Sequence, residues 1–254
     1  MIRWMLNGLG KRLARYLSQP SKRYEPLSTH GFERLAKVLR PGDVVLVEGN
    51  RRISTAIKFL THSTWSHAAL YVGNALGTFD NGNDATVLIE ADLEQGVIAV
   101  PLEKYAGLHT RICRPVGLTE PDLRRVINAA VSRLGESYDL KNVIDLARYF
   151  LPIPLVPVHW RRRMLALGSG DPTRVICSTL VAQAFQSVRY PILPQVTYPA
   201  STGDTQHPNA WVTEVMHIRD SSLYAPRDFD LSPFFQIIKP TLEAGFDYQA
   251  SVWR

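Results

Sequence analysis

The sequence predicts an α+β protein in which an antiparallel sheet packs against helices. Between residues 43 and 116, short β-branched and apolar runs follow one another with turn residues between them and no long helix to carry a parallel crossover, so neighbouring strands should run antiparallel. Beyond residue 118 the apolar period changes to that of helices, first in "TEPDLRRVINAAVSRLG" and again in "CSTLVAQAFQSV".

The elements follow in order. In "VLRPGDVVLVEG" the Pro41-Gly42 pair marks a turn and the β-branched run after it a strand. "STAIKFLTHST" reads as a short helix capped by Ser54, and "SHAALYVGN" as a strand closed by a Gly-Asn turn. "TVLIEADLEQGVIAVPLEKY" gives two strands about a turn at Glu94-Gln95-Gly96, and "HTRICRPV" one more. In the first long helix Thr119 is placed to cap, Pro121 sits in the first turn, and Gly135 can end it; Leu123, Val126, Ile127, Ala130, Val131 and Leu134 share a face. "DLKNVIDLARYFL" is also expected to be helical, stopping at the prolines of "LPIPLVPVHWRRRML". In the last helix Leu180, Val181, Ala184, Phe185 and Val188 share one face, which places Cys177 in its first turn. A loop-rich region and a strand at "FFQIIKP" complete the chain.

The 254 residues can bury a full core, without repeats or low-complexity tracts. We expect a basic amphipathic segment and linker over 1–30, one catalytic domain over 31–240 and a tail over 241–254. Two cysteines, Cys113 and Cys177, are too few for a disulfide framework, which fits a reducing compartment. No run of about 18 apolar residues and no signal-peptide pattern occur, so the expected location is the cytoplasm, with a peripheral position on the inner face of the membrane as a variant.

The formal net charge of +6 is local. Arg3, Lys11, Arg12, Arg15, Lys22 and Arg23 fall in the first 24 residues without an acidic residue, leaving 23 basic against 23 acidic groups elsewhere. Ile2, Met5, Leu6, Leu9, Leu13, Tyr16 and Leu17 form an apolar stripe with Arg3, Lys11 and Arg15 turned away and Trp4 nearby. This pattern suits a helix lying on an anionic membrane, and equally one docked on its own domain. Nucleic acid is not expected as a partner, because basic aromatic patches do not recur along the chain. The oligomeric state is open.

Cys177 is the first candidate for chemistry. A sulfur at a helix start feels unpaired backbone N–H groups and the positive end of the dipole, both of which favour the thiolate. A buried structural cysteine is the plainer explanation of the same position. A thiolate nucleophile needs a histidine and a polar group to orient it. His67 opens an apolar strand and Glu90 stands near the end of another, both out of place unless they face a site, and paired strands would put them on one face. Cys113 reads as structural. His62 and His67 lack the spacing of metal ligands on one helix face, zinc-type cysteine pairs are missing, and no phosphate loop appears, so neither metal nor cofactor is expected.

Taken in order, "PGDVVLVEG", "SHAALYVGN", "VLIEADLEQGV", "GESYDL", "ICSTLVAQAF" and "YAPRDFDLSPFFQII" resemble the circularly permuted branch of the NlpC/P60 papain-like superfamily, the YiiX/YebB-like cysteine hydrolases. The resemblance runs from about Leu39 to Lys239. It implies a permuted papain-like α+β fold with the order histidine, polar residue, cysteine, matched by His67, Glu90 and Cys177. On that pattern His67 is general base and acid, Glu90 orients it, and Cys177 attacks an amide carbonyl to give a thioester. The Cys177 backbone N–H is the first oxyanion donor expected. Tyr138 matches a pocket tyrosine of the family, and Tyr138 and Ser178 are the candidate substrate-binding residues.

The substrate is expected to be an amide, such as a cell-wall peptide. A second reading is a thiol phospholipase or acyltransferase working on lipid acyl groups at a membrane surface. It draws on the basic N-terminus and on "FLPIPLVPVHWRRRMLALG", whose Trp160, Arg161, Arg162 and Arg163 would join Trp4, Lys11 and Arg15 in touching the bilayer. A third is a noncatalytic membrane-associated binding protein.

Overall fold

The structure, a computed structural model, describes residues 15–20, 31–77, 87–137, 176–197, 215–247 and 249. The expected helix over "DLKNVIDLARYFL", the arginine segment after it and most of the basic N-terminus lie outside the described residues.

The fold is α+β. Helix α1 (Phe32–Val38) precedes strand β1 (Val44–Val47), then come helix α2 (Arg52–Thr61) and strands β2 (His67–Gly73), β3 (Val87–Asp92) and β4 (Gly96–Pro101). A 3-10 turn, Leu102–Tyr105, leads to β5 (Thr110–Pro115) and helix α3 (Glu120–Val131). Helix α4 (Ile176–Gln186) is followed by a small ribbon of β6 (Gln195–Thr197) and β7 (Val215–His217). Helix α5 (Pro226–Leu231), strand β8 (Phe235–Ile238) and helix α6 (Pro240–Glu243) follow. The six main strands form one sheet in the order β4-β3-β2-β1-β5-β8, and every pairing is antiparallel, as the strand run predicts.

Two apolar layers cover the sheet. On one face Val44, Leu46, Ala68, Leu70, Ile89 and Cys113 pack against α3 and α4, whose Val126, Ala130, Leu180, Val181, Ala184 and Phe185 are buried. On the other, Val45, Val47, Ala69, Tyr71, Leu88 and Ile112 meet Leu35, Leu102 and Tyr105. Burying each large side chain contributes about 1.5 to 3 kcal/mol. The predicted apolar faces of α3 and α4 are the ones that turn inward.

Two local expectations change. Helix α2 starts at Arg52, so Ser54 lies inside its first turn and is not its cap. The Arg52 amide instead donates to the Gln19 carbonyl at 3.0 Å, because residues 15–20 cross the helix start and bridge Pro20 to Arg51. In that crossing piece Leu17 is fully buried, the Arg52 guanidinium lies 4.0 Å over the Tyr16 ring, and Arg15 is exposed. These residues therefore dock on their own domain. Thr119 does cap α3, accepting from the Asp122 amide at 3.3 Å, but the helix ends at Val131 and Gly135 serves another purpose. Its amide donates to the Val97 carbonyl at 2.9 Å, and the Val97 amide to Glu136, which ties the helix exit to β4. Gly96, at φ +78°, permits this approach: a Cβ there would sit 2.1 Å from the Glu136 carbonyl oxygen.

The short α1, α5 and α6 and the β6-β7 ribbon are absent from the sequence reading. Among the described residues no helix is long and apolar enough to cross a membrane.

Candidate active site

The ends of β1 and β3 and the start of β2 meet at one end of the sheet around a cavity of about 380 Å³. His67, the first residue of β2, stands opposite Val47. Pairing of Tyr71 with Leu88 across β2 and β3 puts His67 and Glu90 on the same face, one diagonal step apart, within reach of each other. Their side chains meet, His67 Nε2 to Glu90 Oε2, at 3.1 Å.

Glu90 is 1% exposed, and a carboxylate in that position must be paired or neutral. It is paired three times. The Lys104 ammonium donates to Oε1, and the Tyr105 hydroxyl donates to Oε2 beside His67. Both come from the 3-10 turn that leaves β4, and the Tyr105 ring lies 5.9 Å from that of His67. Burial pushes the Glu90 carboxyl up, but His67 and then Lys104 outweigh it and hold it down at about 2.

Cys177 enters from the other side of the sheet. Helix α4 packs against β2 and β3, so its first turn arrives at the strand ends and Cys177 lines the cavity. Cys177 lies close enough to the His67 ring for its sulfur to act on it, as Glu90 does at Nε2. Burial works against a charge on His67, but the Cys177 sulfur first, and Glu90 after it, raise the ring from 6.5 to about 10. The Cys177 backbone N–H belongs to the first turn, whose amides find no partner within the helix. A sulfur beside an imidazole fixed by a carboxylate, at a helix start, has what a thiol needs for nucleophilic attack.

The cavity floor depends on a close backbone approach. Gly49 donates its amide to Ser66 Oγ at 2.9 Å, and a Cβ on Gly49 would lie 2.4 Å from Ser54 Oγ and 3.0 Å from Ser66 Oγ. Ser54, displaced from its expected capping role, lines the cavity instead.

Ser178, expected beside the substrate, does not line the cavity. It is fully buried, and its Oγ donates to the Tyr224 carbonyl at 2.5 Å, tying α4 to the chain before α5. Tyr138 lies outside the described residues, as do Trp4, Lys11, Trp160, Arg161, Arg162 and Arg163. Cys113 is buried in β5, where desolvation pushes its thiol well above the ordinary range. Among the described residues no group of three or more His, Cys, Asp or Glu could hold a metal ion. Sequence reasoning missed Lys104 and Tyr105. The one signal available was "LEKY", a charged and aromatic pair directly after a strand whose neighbour carries Glu90.

A second buried carboxylate repeats part of this pattern. Glu48 holds Lys58 Nζ at 3.3 Å through Oε1 and His109 Nδ1 at 3.1 Å through Oε2, outside the cavity that holds Cys177.

No curated protein matches the chain. Among solved structures, one described as the metalloprotein yiiX from Escherichia coli O157:H7 is 16% identical, covers 85% of this chain and 98% of its own, and superposes with a TM-score of 0.43. Residues 38–150 match the model of a family described as permuted papain-like amidase enzymes, YaeF/YiiX, the C92 family. That segment carries His67 and Glu90 and ends before Cys177. Over residues 38–150, whose strands contribute the histidine and the carboxylate, the chain is similar to that permuted papain-like family.

Proposed function

We propose that the chain is a thiol amidase in which Cys177, His67 and Glu90 act together. The observation that carries the reading is the His67 ring, engaged at Nε2 by Glu90 at 3.1 Å, in a cavity that Cys177 also lines. The amidase character of the matched family supports it. His67 takes the proton of Cys177, and the sulfur attacks the amide carbonyl, forming a C–S bond. The backbone N–H of Cys177 donates to the oxyanion. His67 then gives its proton to the amide nitrogen as the C–N bond breaks, leaving a thioester and a free amine. Water, deprotonated by His67, attacks the thioester and releases a carboxylic acid and the thiol. Glu90 keeps the ring in place and offsets its positive charge throughout.

The test is to incubate wild type and Cys177→Ser with cell-wall muropeptides and, separately, with a mixed lipid extract, and to analyse both by mass spectrometry. New amine and carboxylate fragments from muropeptides, lost in Cys177→Ser and His67→Ala, are expected. Fatty acid release from the lipids alone would move the substrate to lipid acyl groups while keeping the thiol chemistry. Turnover unchanged in Cys177→Ser would sink the proposal.

A further inference from the structure

Glu90 is shared. One buried carboxylate faces His67 through Oε2 and Lys104 through Oε1, while Tyr105 donates to the same oxygen that His67 uses. With both oxygens engaged, the carboxylate cannot rotate without breaking a charge-assisted bond, so the His67 ring is held by a group that is itself held. The other charged groups near the cluster largely cancel. Asp92, two residues along β3, is met by Arg51 at 3.4 Å, and among the described residues lining the cavity Cys177 is the remaining ionisable group, contributed by α4. Lys104 is therefore the cation whose presence decides how much of the Glu90 charge His67 sees.

We infer that Lys104 is a positioning residue that fixes Glu90 and, by sharing its charge, limits how tightly His67 keeps its proton, with Tyr105 as its neutral companion. This rests on the thiol chemistry proposed above. An imidazolium bound too firmly to a bare buried carboxylate is a poor acid toward a departing amine. A cation on the far oxygen weakens that hold without removing the carboxylate. The comparison within the fold is Glu48, which carries Lys58 and His109 but does not line the cavity that holds Cys177.

The test needs no substrate. In full-length protein with ¹³C-labelled histidine, the His67 titration is followed by NMR, its signal identified by its loss in His67→Gln. In Lys104→Met and Lys104→Gln the His67 midpoint should rise by about one pH unit, since a neighbouring cation is removed. Lys104→Arg should restore it, Tyr105→Phe should move it by less, and Lys58→Met should leave it in place. A lysine that merely supported packing would change stability without moving the midpoint. An unmoved or lowered midpoint in a folded neutral variant overturns the role of Lys104. Alkylation with iodoacetamide separates the two levels of the argument. Slow, equal labelling of Cys177 and Cys113 in the wild type would overturn the thiol chemistry itself, whereas fast Cys177 labelling with an unmoved midpoint overturns the inference about Lys104 alone.

Discussion

Replacing Glu90 with glutamine keeps the shape of the side chain and removes its charge, which isolates what the carboxylate does for His67. The ring is raised from 6.5 to about 10, a displacement worth about 5 kcal/mol between its two protonation states. Cys177 is the larger contributor and Glu90 the second, so Glu90→Gln should lower the His67 midpoint by about 1 to 2 pH units. The Lys104 ammonium, left without its carboxylate, adds to the fall. The glutamine carbonyl can still accept from Nε2, so ring orientation should survive. The assay is the NMR titration of ¹³C-labelled histidine, read beside the rate of Cys177 alkylation near neutral pH, which should drop with the loss of imidazolium. A variant with native circular dichroism whose His67 midpoint stays within a few tenths of a unit of wild type would refute the electrostatic reasoning.

The same shifts set the pH dependence of stability. His67, raised on folding, contributes stability that is full below 6.5 and lost as pH climbs through about 10, whereas Glu90, depressed to about 2, contributes above 4.5 and loses it as pH falls through about 2. Urea unfolding across pH should therefore show a plateau between these windows, flattened in Glu90→Gln. Iodoacetamide should label Cys177 far faster than Cys113, whose buried thiol resists ionisation, and His67→Ala should slow the labelling of Cys177. Gly49→Ala should cost about 1 to 3 kcal/mol in urea unfolding, because its methyl would push against Ser54 and Ser66, and should slow Cys177 labelling as the strand beside His67 shifts. Arg114 grips Asp43 with Nε and Nη2 at 2.8 and 2.7 Å, so Arg114→Met should cost about 3 to 5 kcal/mol by stranding a carboxylate that is 1% exposed. Thermal unfolding checks this.

Much of the fold was legible because the sheet is built from runs with unmistakable character. "VVLV" and "HAALYV" are covered on both faces, and such strands appear as continuous apolar stretches. The apolar faces of α3 and α4 were equally clear. His67 and Glu90 stood out as polar groups in apolar strands, and their common face follows from strand pairing. What escaped was set by tertiary contact. Lys104 and Tyr105 gain their meaning only when the turn after β4 folds over β3, and nothing in "PLEKY" states which carboxylate it will meet. Ser54 looked like a cap because capping rules consider side chains, whereas the carbonyl at the start of α2 belongs to Gln19, far back in the chain. Ser178 was drawn toward the site by its neighbour, although a helix turns successive residues by about 100°, and this one faces Tyr224. The short α1, α5 and α6 span too few turns to show a period.

Cys177 is placed by a helix that follows every strand of the sheet except β8 and the small ribbon. During synthesis, then, histidine and carboxylate emerge long before the sulfur, and the sulfur meets them only after α4 docks on β2 and β3. Until that docking the sulfur has no imidazole beside it, so a nascent or truncated polypeptide should show only the reactivity of an ordinary thiol. On the thiol chemistry proposed above, activation of the sulfur is thereby tied to completion of the core.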